Sequence, residues 1–176
     1  MDTMQAIITR QSIRSFTNQP VDEEQIEAIV RAGMHAPSAH HKRTWRMISV
    51  TERKTLDALS ELGKYWKMLK EATLCIATCV YAPGIKAEDM ELQIHNGAAA
   101  TQNMLLAAHA LGLGAVWLGI SPERPAYLPT KELLSIPEEA RVVSLIAVGH
   151  PQEPIPPRRE PLDRLEPEKW FKERWQ

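Results

Sequence analysis

The chain has 176 residues, 44% hydrophobic and 24% charged, the proportions of an ordinary globular domain, which excludes disorder, collagen and coiled coil and predicts one domain over 1–176. Its 21 Lys and Arg against 22 Asp and Glu leave a formal charge of −1, so it carries no basic field for nucleic acid and no polybasic stretch for a membrane surface. Two cysteines are too few for a disulfide scaffold, and the opening MDTMQAIITRQ lacks the basic-then-apolar run of a signal peptide, which predicts a cytoplasmic protein.

Taken in chain order, helices alternate with strands. A short N-terminal helix precedes Arg10. Asp22 with Gln25 three residues on makes a capping-box start, Ile26, Ile29 and Val30 follow at helical spacing, and Gly33 with Pro37 ends the helix. Residues 46–51 (RMISVT) are β-branched and short, a strand. Residues 52–62 carry Leu56, Leu59 and Leu62 on one helical face, stopped by Gly63. Residues 73–81 (TLCIATCVY) form a near-continuous apolar run of strand length, as in a strand covered on both faces. A long helix over 86–111 and strands over 114–120 and 141–148 complete the pattern.

The most apolar stretch, 98–120, contains Thr101, Gln102, Asn103 and His109 and is broken by Gly112 and Gly114. A membrane span wants about 20 nearly uninterrupted apolar residues, so this is a buried helix running into a buried strand. The helical part is apolar on nearly every face, with six small alanines, and such a helix must be covered on all sides; a second subunit is a natural cover, which predicts a homodimer. After Gly149 come Pro151, Pro154, Pro156, Pro157, Pro161 and Pro167, too many for regular structure. We read 150–176 as an extended arm that docks its aromatic end, Trp170, Phe171 and Trp175.

Several chemistries are excluded. The glycines at 112 and 114 begin a dinucleotide fingerprint, but Trp117 takes the third glycine's place and a strand follows where a helix is needed. Neither GxxxxGK[ST] nor G-x-S-x-G occurs. Cys75 and Cys79, inside a strand, are core thiols and not a redox pair. His35, His40 and His41 lack metal-ligand spacing, so no metal is expected. The arginines are more telling: Arg10, Ser12 and Arg14 follow the first helix, and Arg158 and Arg159 lie in the arm. The planar fork of Arg pairs phosphate oxygens bidentately.

With RQSIRSF at 10–16, APSAHHKRTW at 36–45, AAATQNMLLAAHALGLGAVWLGI at 98–120, and VGHP with RREPL at 148–162 in this order, the chain resembles the nitroreductase family of FMN-dependent oxidoreductases over nearly its full length. The resemblance implies an α+β, nitroreductase-like fold: a central mixed β-sheet flanked by helices, an extended C-terminal arm, and a homodimer with FMN in an interface cleft. Carried over residue by residue, Arg10 and Ser12 resemble phosphate and ribityl contacts. Arg14 resembles the cation beside flavin N1 and O2, where reduction brings negative charge that a fixed cation stabilises. Pro37, Ser38, Ala39 and His41 resemble the loop that reaches the partner's flavin. Leu118 and Gly119 resemble the backbone at the ring's reactive edge, and Arg159 the phosphate-binding arginine of the arm. There are departures: His41 stands where Asn is usual, Asn96 where Asp is common, and Pro157 where a Lys often stands, so that Arg158 substitutes. The segment after Gly119, ISPERPAYLPT, is short, which implies an open lid. Lys64 and Lys67 lie near a flavin-contacting region and carry no assignment.

The activity so implied is ping-pong hydride transfer from NAD(P)H through flavin N5 to a nitroaromatic, quinone or similar acceptor. The cofactor does the chemistry, so no side chain is named as acid or base. A specialised branch (reductive dehalogenation or flavin cleavage) and a non-catalytic FMN carrier or sensor are the alternatives.

Overall fold

A computed structural model describes residues 1–155, 166 and 169–174. Asp2 accepts a hydrogen bond from the Gln5 N–H at 3.0 Å and so caps Thr3–Thr9 (α1). Asp22 and Gln25 close a reciprocal capping box on Glu23–Met34 (α2), satisfying N–H groups that the first helical turn leaves without partners. The chain continues through Trp45–Val50 (β1), Arg53–Leu62 (α3), Leu74–Tyr81 (β2), Ala87–Ala110 (α4), Gly114–Gly119 (β3), Tyr127–Leu133 (α5) and Ala140–Gly149 (β4). The elements expected between residues 22 and 149 are all present, their ends shifted by about a residue, as helix and strand ends commonly are. Three pieces were not foreseen: α5, and 3-10 turns at Ala39–His41 and Lys67–Lys70.

The strands pair antiparallel in the order β1-β2-β4-β3. The parallel component of the expected mixed sheet is confined to one bridge, Ser12 with Ala115. Strand alternation sorts the side chains to two faces. Cys75, Ala77, Leu145 and Ala147 pack with Leu56, Leu59, Trp66 and Tyr127. Leu74, Ile76, Ile146 and Val148 pack with Ile26, Ile29, Met104 and Ala108. The sheet is therefore a middle layer, with α2 and α4 on one face and α3 and α5 on the other. That is why the run 74–81 is apolar throughout although its partners are antiparallel.

A bulge fixes where α4 sits. Thr78 pairs with Ser144 and Cys79 with Val142, leaving Val143 as the extra residue of β4. A Cβ on Gly97 would lie 2.8 Å from the Val143 side chain, so the glycine lets α4 approach the bulge. One turn on, the Thr101 and Ser144 hydroxyls lie 2.8 Å apart in the interior.

The two ends of the sheet-forming region meet. Phe16 bridges antiparallel to Pro151, the Thr17 N–H donates to the His150 carbonyl at 2.9 Å, and the Gln152 N–H donates to the Ser15 carbonyl at 3.1 Å. The arm thus leaves alongside residues 15–17. Most of its expected course, with Trp175, lies outside the described residues; Trp170 is 61% exposed on this chain. Among the described residues, no helix is long and apolar enough to cross a membrane.

The hydroxyl of Thr78 is fully buried and, among the described residues, has no hydrogen-bond partner. An unmade buried hydrogen bond costs about 1–3 kcal/mol. Thr78→Val is therefore expected to raise the unfolding free energy by about 1 kcal/mol. Urea denaturation measures it, and a fall of that size would reveal a partner for the hydroxyl.

Candidate functional site

Among the described residues β3 is an edge strand, and its outer side is paired only near its start. The Ile13 N–H donates to the Ala115 carbonyl at 3.0 Å, so that carbonyl turns away from β4. In an antiparallel strand, alternate residues turn their N–H and C=O to the same side. The backbone groups of Trp117 and Gly119 hence turn outward too, beyond the reach of the N-terminal segment. There a cavity of 840 Å³ opens, walled by residues 62–66, 120–121 and 124–126 and lined also by Arg14 and Met68. Val116 and Leu118 send their side chains into the core, and a Cβ on Gly119 would meet nothing within 4 Å. The floor is therefore largely backbone.

The wall at 62–66 is held by packing and charge. The Trp66 ring lies flat on Gly63, where a Cβ would come within 2.1 Å of it. Glu61, at the end of α3, pairs with Lys67 at 2.5 Å and Lys70 at 2.7 Å. Hydrogen bonds from Lys67 and then Lys70 pull the Glu61 carboxyl down from 4.5 to about 2. The Arg53 guanidinium donates to the Leu69 carbonyl and, at 2.9 Å, to the Ala72 carbonyl. Lys67 is thereby committed to the wall. Lys64 instead lines the cavity, 5.3 Å from the centre of the Tyr65 ring.

Among the described residues, three cations line the cavity, Arg14, Lys64 and Arg124, and no carboxylate does. The nearest acid in sequence to Arg124, Glu123, is held below its ordinary range chiefly by the Ser121 hydroxyl. Tyr65 and Trp117, both exposed, are also among the lining residues. Such a site suits an anionic ligand with a flat apolar body.

Of the residues singled out from the sequence, Arg14, Leu118 and Gly119 come together here. Ser12 sits in the bridge to Ala115. Arg10 ends α1, its N–H on the Ala6 carbonyl. Neither lines the cavity. The Thr9 hydroxyl donates to the Gln5 carbonyl at 2.5 Å, so its contact with His109 Nε2 at 2.8 Å is one in which the ring N–H donates. Burial first, and Arg10 second, hold His109 below its ordinary pKa. This link ties the end of α1, and so Arg10, to the end of α4.

Pro37, Ser38, Ala39 and His41 lie in the loop after α2, away from the cavity of their own chain. The Ala39 N–H donates to Asn96 Oδ1 at 3.0 Å, Asn96 Nδ2 donates to Gln93 Oε1 at 3.1 Å, and Thr44 donates to the same oxygen at 2.8 Å. An aspartate at 96 could accept from Ala39 but could not donate to Gln93, which explains the asparagine. His40, His41 and Arg43 all have positive φ, 52°, 56° and 47°, a conformation that persists in non-glycine residues only when the surroundings enforce it. Arg158 and Arg159 lie outside the described residues. Among the described residues, no group of three or more His, Cys, Asp or Glu is placed to hold a metal.

The sequence reading missed Arg124, Tyr65, Trp66 and Trp117. Arg124 sits between two prolines in a stretch that reads as plain loop; the fold that brings it to the same cavity as Lys64 leaves no mark in the spacing.

Comparison with known proteins gives a consistent result. Residues 7–150 match the Nitroreductase family. A protein of Archaeoglobus fulgidus with the provisional name NADH dehydrogenase/NAD(P)H nitroreductase is 35% identical, over 99% of both chains. A crystal structure from Parabacteroides distasonis under the same provisional name superposes with a TM-score of 0.88 at 32% identity, covering 99% of this chain and 100% of that one. An FMN-dependent nitroreductase of Clostridium difficile superposes at 0.85 with 26% identity, over 98% and 100%.

The wall at 62–66 yields a pH test. Glu61 has its carboxyl lowered in the folded state, so the stability it contributes is present above about pH 4.5 and is lost as pH falls toward 2. Glu61→Gln should flatten that limb: melting temperatures of the two proteins, apart at pH 7, should converge near pH 2. A gap that persists at pH 2 would assign the effect to packing.

Proposed function

The chain belongs to the nitroreductase family, and on that premise we propose that it is an FMN-dependent NAD(P)H oxidoreductase whose cofactor lies along β3 in the cavity lined by Arg14. The observation that carries this is the meeting of Arg14 with the outward backbone of Trp117 and Gly119 in a cavity lined by cations and no carboxylate. Its volume of 840 Å³ lies within the range of small-molecule sites, about 300–1,000 Å³. The residues present fit a flavin: a backbone floor for a flat ring, edge N–H and C=O groups for its heteroatoms, and a fixed guanidinium for its pyrimidine side. Bound there, FMN would supply two-electron transfer between reduced nicotinamide and a nitroaromatic, quinone or similar acceptor.

Each protein group then has a defined task. Arg14 offsets negative charge that develops at N1 and O2, where a preorganised cation costs no reorganisation. Arg10 and Ser12, with Arg158 and Arg159 from the arm, hold the phosphate and ribityl chain; the hydrogen bonds between residues 15–17 and 150–152 support this by bringing both segments side by side. Gly119 presents its backbone to the reactive edge, and Leu118, whose own backbone groups turn toward β4, lies beside it in the lining. No side chain is assigned a proton-transfer role.

We further infer a homodimer in which Pro37, Ser38, Ala39 and His41 reach the partner's cofactor. A shallow apolar groove of 260 Å³ between α1 and α4 is lined by Met1, Ala6, Leu106, Ala107 and Ala110. Around it Met4 is 63% exposed and Ile7 45%, an apolar face that a second copy would cover. Light scattering is expected to give a dimer, and a monomer of about half that mass holding stoichiometric FMN would contradict the shared site.

Three measurements test the rest. The purified protein should be yellow and release FMN on denaturation. Arg10→Ala or Arg159→Ala should each weaken FMN binding by about ten- to a hundredfold, the worth of a hydrogen bond between charged groups, while riboflavin binding should barely change. If both variants keep wild-type FMN affinity, the phosphate assignment is wrong.

With one cleft serving donor and acceptor in turn, initial-rate lines at several acceptor concentrations should be parallel. Intersecting lines would require a second site. In rapid mixing with FMN saturating, Arg14→Ala should slow flavin bleaching by NADH or NADPH more than it weakens FMN binding. Failure of both nucleotides to bleach the wild-type flavin would leave a carrier in place of an enzyme.

A further inference from the structure

We propose that Lys64 and Arg124 form an anion clamp at the mouth of the cavity, so that the acceptor it favours is an aromatic carboxylate. This rests on the reading of the cavity as an FMN site, with Arg14 engaged by the flavin pyrimidine. Lys64 and Arg124 then remain for whatever lies over the ring. They come from different segments of the lining, Lys64 from the stretch after α3 and Arg124 from the turn before α5.

Both positions are preset by the fold. The Arg124 N–H donates to the Ser121 carbonyl at 2.9 Å, and the Arg124 carbonyl accepts from the Tyr127 N–H at 3.0 Å. Pro122 and Pro125 stiffen the same turn. Lys64 follows Gly63, which Trp66 pins from below. A cation held in place loses little side-chain freedom when it binds an anion. The short segment 120–126 leaves both cations in reach of solvent-borne ligands.

The neighbours specify more than charge. Tyr65, 72% exposed, lines the cavity next in sequence to Lys64. An aromatic side chain left this accessible at a ligand-sized cavity suits a flat aromatic body. A ring bearing a carboxylate satisfies both features, whereas a neutral quinone or nitroarene uses the aromatic side chain alone. The countervailing group is Glu123, whose anionic carboxylate, held by Ser121, stands next to Arg124. Its removal should strengthen the clamp.

The test compares 4-nitrobenzoate with 4-nitrobenzamide as acceptors. In each, the nitro group takes two electrons as hydride from NADH and one proton from solvent, loses one oxygen as water, and becomes nitroso. The readout is the ratio of their kcat/KM values within each variant, which cancels the difference in intrinsic reactivity when variants are compared. Arg124→Ala and Lys64→Ala should each lower the benzoate-to-benzamide ratio by roughly tenfold. Arg124→Lys should recover part of it, Glu123→Gln should raise it, and added salt should lower it in the wild type.

Calorimetry with unreactive benzoate and benzamide, on the protein as purified, reads the clamp without turnover. An unchanged ratio in both alanine variants overturns the proposal. So does a loss confined to the KM for NADH or NADPH, which would assign the cations to the nucleotide's phosphates. Equal binding of benzoate and benzamide also overturns it. If neither nucleotide bleaches the wild-type flavin, the oxidoreductase reading fails instead, and calorimetry still decides the clamp.

Discussion

The hydrogen bond from the Ile13 N–H to the Ala115 carbonyl sets the limit on which the site depends. Up to that point the edge of the sheet is paired; beyond it, the same strand offers its backbone to a cavity. An exposed sheet edge is ordinarily a liability, open to pairing with any passing strand. Here the chain curves away at Arg14 and places a guanidinium at the place where pairing stops. The same excursion continues to Phe16 and Thr17, which fasten to Pro151 and His150 and so set where the arm departs.

The cavity's charge is the complement of its walls' charge. Glu61 consumes Lys67 and Lys70, and Asp57 pairs with Arg53 at 3.0 Å, so these cations hold the wall together. Among the described lining residues there is no such acid for Lys64 and Arg124. Surface ion pairs contribute little to stability one by one. Their sorting has a larger effect here, because it decides which positive charges remain for a ligand.

Much of this was legible before the fold was known, and the exceptions have physical reasons. The capping box at Asp22 and Gln25, the apolar run 74–81 and the long helix 87–110 are local signals, and each appears where expected. Arg14 could be singled out because its segment follows a helix and carries a second arginine and a serine close by. Strand order could not be read, since it is settled by pairing between residues far apart in sequence. Lys64 and Lys67 look alike as letters, and only the turn of chain that brings Glu61 to one and the cavity to the other distinguishes them. α5 was hidden by its own proline: YLPTKEL contains Pro129 in its first turn, where the missing N–H costs nothing.

The core thiols carry a consequence for a protein that handles electrons. Burial pushes Cys75 up to about 12 and Cys79 up to about 11, and the thiolate, not the thiol, is the reactive form. Both sulfurs are therefore poorly reactive toward peroxides and disulfides while the sheet stays closed. They also keep time on the fold's fluctuations. Cys79, beside a small cavity near the end of α5, should react at the rate of local breathing, and the fully buried Cys75 at the slower rate of opening the sheet itself.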